Sequence, residues 1–290
     1  MDSEPRLPPE LEREIFELAA QCLQSNLNLL LVARRVHEWV EPCLYRVVRV
    51  VKNSRPLSAL LRAMSDNRSS LLVAGVRCVF FESPAAGTEA LNQEILAQCP
   101  NVTRVALTPG FSGAAALAAL EKLGHLEYLT ANLGRLFPLD IDGTHPVLAR
   151  VTHLSLLDNL HSDEKQEAIL AALPAIPSLT HLRLDFLVAG QVRRIFETCP
   201  RLEILLLNNT ATQAYSHRFP TARDEPRVVR IANFSTYSSF WTDWLRGAYG
   251  LADAWQLAEE CVRSRLCGEG DAGNEKPGWI VQKWETWPTL

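Results

Sequence analysis

Leu179-Thr180-His181-Leu182-Arg183-Leu184 carries apolar residues at its first, fourth and sixth positions. The same L-x-x-L-x-L pattern stands one unit earlier, at Val151-Thr152-His153-Leu154-Ser155-Leu156. Working outward, the template fits Leu126-Leu129-Ala131, Val102-Val105-Leu107 and Val76-Val79-Phe81 on one side. On the other side it fits Leu202-Leu205-Leu207 and, more weakly, Val228-Ile231-Asn233. Successive first positions are 23 to 28 residues apart, the period of repeats built from one strand and one helix. A single such unit cannot bury its own apolar side, so the units must stack. The expected fold class is α/β: a curved solenoid with parallel strands on the concave face and helices on the convex face.

The segments between strands read as helices. Leu57, Leu60, Leu61 and Met64 share one face, as do Leu91, Ile95 and Cys99, and Val192, Ile195, Phe196 and Cys199. Asp163 with Gln166 is a capping box opening a helix that runs to Leu173. Cys99-Pro100 and Cys199-Pro200 end helices at equivalent positions, where a small thiol suits a packed corner. These units resemble the cysteine-containing leucine-rich repeats, over roughly residues 70–235. Asn132 to Arg150 and Asn208 to Arg227 interrupt the rhythm and are expected to be long rim loops.

Upstream, Leu11, Ile15, Leu18 and Cys22 form one face of an amphipathic helix that the prolines at 8 and 9 open. A second helix is expected from Asn28, with Leu29, Val32, Val36, Val40 and Cys43 on one stripe and Pro42 at its end. Leu7-Pro8-x-Glu10-Leu11 with Ile15-Phe16, then Val32-Ala33-Arg34-Arg35 and Leu44-Tyr45, resembles an F-box of the variety common in fungal proteins. Val36 stands where many F-boxes carry an aromatic, and Tyr45 replaces the usual tryptophan. The resemblance covers about residues 7–50. It implies docking on the Skp-type adaptor of a cullin–RING ubiquitin ligase through Leu7, Pro8, Leu11, Ile15, Val32 and Val36, with the repeats holding a substrate protein.

Toward the C-terminus, Phe240 to Leu245 leads into Asp253 to Leu266, which is expected to be a capping helix closing the array. Residues 267–290 contain Gly268, Gly270, Gly273, Pro277 and Gly278 and read as a flexible tail, although Trp279, Trp284 and Trp287 favour packing back on the domain. The domain division is therefore 1–50, an F-box-like helical module; 51–266, the repeat solenoid with its cap; and 267–290, the tail.

Composition bounds the function. The chain has 290 residues, of which 47% are hydrophobic and 21% charged, a globular balance. A net charge of −4 speaks against nucleic acid as a partner, and no apolar run approaches a membrane span. The acidic Met1 to Pro5 lacks the pattern of a signal peptide, and the seven cysteines include no Cys-x-x-Cys pair. The expected compartment is the cytoplasm and/or nucleus. The sequons at Asn67, Asn101, Asn208 and Asn233 are read as chance matches.

Alternation along each strand sends the fourth and sixth template positions into the core and the third and fifth to the concave surface. That surface would display Arg104, Tyr128, His153, His181 and Arg183, together with Ala106, Thr130, Ser155, Ile204 and Leu206. The five polar and aromatic residues are the candidate substrate-binding set, and Arg183→Glu is expected to weaken partner capture without changing the melting temperature. His153 and His181 would sit roughly 5 Å apart on adjacent strands. They could share a metal with Asp185, but the sequence offers no fourth ligand, so no metal and no cofactor are assigned. No nucleophile elbow or phosphate loop is present, and the chain is read as a non-enzyme. Two functions stay open: a substrate receptor of an SCF-type ligase, or a leucine-rich-repeat scaffold with no ligase role.

Overall fold

The computed structural model describes residues 7–20, 26–66, 68–82, 89–108, 111–158, 163–184, 189–208, 225–232, 237–268 and 279–281. The chain is α/β, with one sheet whose nine strands lie in chain order and are all parallel. They are β1 (Val47–Val50), β2 (Cys78–Phe81), β3 (Arg104–Leu107), β4 (Tyr128–Ala131), β5 (His153–Leu156), β6 (His181–Leu184), β7 (Ile204–Asn208), β8 (Val228–Ala232) and β9 (Trp279–Val281). The fourth template positions fall in register: Val79 opposes Val105, which opposes Leu129, then Leu154, Leu182 and Leu205. One repeat per strand thus produces a solenoid-like arrangement.

Before the sheet come α1 (Pro9–Ala19), α2 (Asn26–Leu29), α3 (Arg34–Val40) and a 3-10 turn over Glu41–Tyr45. Between strands run α4 (Arg55–Ser65), α5 (Ser69–Gly75), α6 (Glu89–Gln98), α7 (Gly113–Leu120), α8 (Leu133–Leu136), α9 (Asp163–Ala172) and α10 (Ala189–Thr198). They cover the back face, where the fourth and sixth strand positions meet the helices in one continuous core from Val48 to Val228. The α4 helix shows the local logic. Ser54 caps it by accepting from the Leu57 amide, and Leu57, Leu60 and Ala63 face inward at successive spacings of three residues. Cys99 and Cys199 are buried where α6 and α10 end, and the carbonyl of each accepts from the amide three residues on.

The opposite, front face is also covered. Helices α11 (Tyr237–Ala248) and α12 (Ala254–Leu266) do not close the end of the array as expected but lie on this face. Trp241, Trp244, Leu245 and Ala248 of α11 pack on Val47, Cys78, Phe80 and Ala106. Ala254, Trp255, Ala258 and Val262 of α12 pack on Ile204, Leu206, Val229 and Ile231. The physical reason is that front-face positions are apolar at both ends of the sheet. A parallel sheet with an apolar face buries it. The turn joining the two helices is a Schellman motif. Gly250, at φ 76°, donates to Gly247 and Leu251 donates to Arg246.

Other expectations need correction. Val47–Val50 belongs to the sheet, so the boundary at residue 50 cuts too late. Tyr45-x-x-Val48-x-Val50 is itself a copy of the template, with Tyr45 packed on the core. The last copy lies three residues out of the expected register. Val228, not Ile231, opposes Leu205, and an odd shift turns Val229 and Ile231 to the front. Asn132 to Arg150 is no simple rim loop: Leu133, Leu136, Phe137, Val147 and Leu148 enter the core. There Asp158, at the end of the neighbouring strand, accepts from the amides of Leu133 at 2.7 Å and Gly134 at 2.9 Å. The second N-terminal helix is broken at Leu30–Ala33, although α3 does end before Pro42. Within the expected flexible tail, Trp279–Val281 forms the ninth strand. Cys22, Asp185, residues 209–224, Trp284 and Trp287 lie outside the described residues.

Candidate functional site

All five residues expected to bind substrate are brought together on the front face, on four adjacent in-register strands. Parallel strands about 4.8 Å apart place equivalent side chains face to face, and here they form a stack. The Arg104 guanidinium lies 4.2 Å from the Tyr128 ring centre, Tyr128 is 4.0 Å from His153, and His153 is 4.0 Å from His181. Trp255 of α12 closes over both imidazoles edge-on.

The stack is a packing surface, not an open face, and this overturns the assignment of Arg104, Tyr128, His153, His181 and Arg183 as exposed substrate contacts. Arg104, His181 and Arg183 are buried, while Tyr128 and His153 are half-buried under α12. The two arginines are engaged within the chain. Arg104 pairs with Asp253, the residue that caps α12 by accepting from the amides of Trp255 and Gln256. Arg183, 2% exposed, donates to Asp243 at 2.8 Å and to Asn208 at 2.9 Å, and lies over the Phe240 ring. Asp243 is 1% exposed and also accepts from the Ala254 amide at 2.7 Å. Two arginines on the sheet are thus matched to two aspartates on the C-terminal helices. Arg183→Glu would set a carboxylate against Asp243, so the expectation of an unchanged melting temperature fails as well. The missed signal is the spacing of Asp243 and Asp253 in a tryptophan-rich segment, since carboxylates beside an apolar face call for buried cations.

Burial also sets the protonation of this site. It lowers His181 to about 4 and His153 to about 2, the latter helped by the neighbouring His181 and Arg104 charges. Burial raises the Cys43, Cys78 and Cys199 thiols and pushes Cys99 up to about 12. These four thiols are therefore protonated and poor nucleophiles.

The N-terminal module presents the contrasting surface. In α1 no residue is buried. Its contact with the rest of the module runs through Phe16 and Ala20, which pack with Val36 and Val40, and through Glu12, paired with Arg35 at 2.7 Å. That row is rotated away from Leu11, Ile15 and Leu18, which with Leu7 are 45% to 56% exposed. Four of the expected adaptor contacts, Leu7, Pro8, Leu11 and Ile15, thus lie together on the outer side, and Val32 is exposed too. Val36 is the exception. It is fully buried in the module's own core and is withdrawn from the docking set, because the break before α3 turns its stripe inward. Gly75 at the end of α5 holds the module against the sheet: an added Cβ would stand 2.3 Å from the Pro42 carbonyl oxygen.

A groove opens where the start of β6 and β7 meets α12, lined among others by Thr180, His181, Glu203, Arg227, Glu259 and Arg263. Among the described residues no helix is long and apolar enough to cross a membrane. No protein-family model matches the chain, and no curated protein does.

Proposed function

We propose that this chain is the substrate-recognition subunit of an SCF-type cullin–RING ubiquitin ligase, with residues 7–45 acting as an F-box and the repeat region as a divergent leucine-rich-repeat solenoid that binds a substrate protein. The observation that carries the reading is the apolar row Leu7, Leu11, Ile15 and Leu18, which among the described residues has no partner and runs from the entry of α1 along its outer side, while the other side of the helix is satisfied. A contiguous apolar patch of this kind on a soluble module marks a protein interface. The resemblance of the Leu7-Pro8-x-Glu10-Leu11 segment to the F-box names the occupant, a Skp-type adaptor. Ubiquitin transfer would take place on other subunits, so this chain needs no catalytic residue, and its place of work would be the cytoplasm or nucleus. With the front face filled by α11 and α12, substrate capture falls to other surfaces of the repeat region.

Co-expression with a Skp-type adaptor tests the reading. Wild type is expected to co-purify with it, and the Leu7→Ala/Pro8→Ala double variant to lose it while keeping its melting temperature. Failure of wild type to co-purify would favour a repeat scaffold with no ligase role.

A further inference from the structure

We propose that His153, His181 and Glu259 form a binding site for a divalent transition metal, zinc being the best match, at the seam between the sheet and α12. The side-chain ligand atoms of the three residues lie within 4.8 Å of one another. Each imidazole has its Nδ1 2.8 Å from the hydroxyl of the threonine before it, Thr152 or Thr180. Each of those hydroxyls also lies 3.3 Å from a backbone carbonyl, that of Glu127 or Thr152. A carbonyl only accepts, so the hydroxyl proton goes there, and the hydroxyl oxygen accepts from Nδ1–H. Both rings are thereby fixed in the tautomer that leaves a bare lone pair on Nε2.

Both Nε2 atoms are buried without a hydrogen-bond partner, and His181 is 94% buried as a residue, being 6% exposed. The Glu259 carboxylate, a third acceptor, lies 3.5 Å from His181 Nε2. With Glu259 ionised, three lone-pair donors therefore face one seam, an arrangement that favours a cation. The field agrees. Asp253, Glu203 and Glu260 raise the Glu259 carboxyl beyond the effect of its burial, and Arg263 only partly opposes them. Arg104, whose charge reaches His153, is itself engaged by Asp253.

Two nitrogens and one carboxylate oxygen, completed by a water as fourth ligand, make a known zinc donor set. Zinc bonds of about 2.0–2.2 Å lie in the plane of each imidazole and require ligand atoms roughly 3.3 Å apart, so the two rings, stacked at 4.0 Å and 15°, would have to swing open from the stack to share one ion. His181 and Glu259 line the groove beside α12, which supplies an access route. Asp185, the sequence-level candidate, is not needed: the third ligand comes from the helix laid over the stack.

The test uses the full chain, stripped with chelator and titrated with zinc chloride by calorimetry, and with cobalt(II) by absorbance. Wild type is expected to bind one zinc, to melt higher with it, and to give a cobalt spectrum without a thiolate charge-transfer band. His181→Phe, which retains the ring stack, should weaken zinc by on the order of a hundredfold, and the surface change Glu259→Gln by at least tenfold. The proposal is overturned if stripped wild type binds no zinc, which would leave a bridging water in the seam. It is equally overturned if a thiolate band places cobalt on cysteine, or if both folded variants bind zinc as wild type does.

Discussion

Replacing Arg183 by Ala removes the cation from the most deeply buried ion pair described here. Asp243 would keep the Ala254 amide but lose the guanidinium 2.8 Å away, and at 1% exposure it has no water to turn to. Breaking a buried pair from one side costs about 3–5 kcal/mol, because the remaining charge stays uncompensated. Each kcal/mol lowers the midpoint of a large domain by about 2–4 °C, so the melting temperature should fall by on the order of 10 °C. Arg183→Glu should be worse, since it adds a second carboxylate at the same point. The loss should appear first as release of α11 and α12, so amide exchange over residues 237–266 should quicken before the strands open. An apolar replacement of both partners, Arg183→Met with Asp243→Leu, should recover most of the stability. The reasoning is refuted if Arg183→Ala melts within a degree of wild type with unchanged exchange over 237–266, because the front face would then be open.

Acid should destabilise the fold through the histidine pair. His181 and His153 ionise near 4 and 2 when folded but near 6.5 when unfolded, so the unfolded chain binds the extra protons. Stability is complete above about pH 6.5 and falls toward pH 4 by up to about 1.4 kcal/mol per unit for each histidine. Urea midpoints at pH 7.5, 5.5 and 4.5 should show this slope, and the His153→Phe/His181→Phe variant should flatten it; equal slopes would sink the explanation. Gly247→Ala should destabilise although alanine favours helix by about 1 kcal/mol. The new Cβ would stand 1.9 Å from Asp253 and 2.1 Å from Arg104, and must push that pair apart. A melting temperature at or above that of wild type would show that the pair yields freely.

The repeat was legible because its signal is one-dimensional. Six copies of the template predicted strand position, register and facing, from Val79 through Leu205. Where the copy was weak, at Val228, a three-residue error reversed the facing. What covers the front face was not legible in the same way. Phe80, Ala106, Leu206 and Val229 show that it is apolar at its ends, but α11 and α12 are some 30 to 160 residues further along the chain. Alternation says which way a side chain points and nothing about what arrives to meet it. Arg183 therefore read as a solvent-facing contact when its partner is Asp243. At the N-terminus the pattern marked Leu11, Ile15 and Leu18 as an apolar face. Only packing through Phe16, Ala20 and Val36 shows that this face points outward.

Hydrogen exchange on the chain with and without a purified Skp-type adaptor tests the central proposal most directly. The account predicts a complex in which amide protection appears over residues 10–19, with no change across β3 to β7. Leu11→Asp/Ile15→Asp should abolish both binding and footprint while leaving the melting temperature unaltered, since these side chains touch solvent. No complex with wild type, or a footprint confined to the repeats with α1 unprotected, would contradict it.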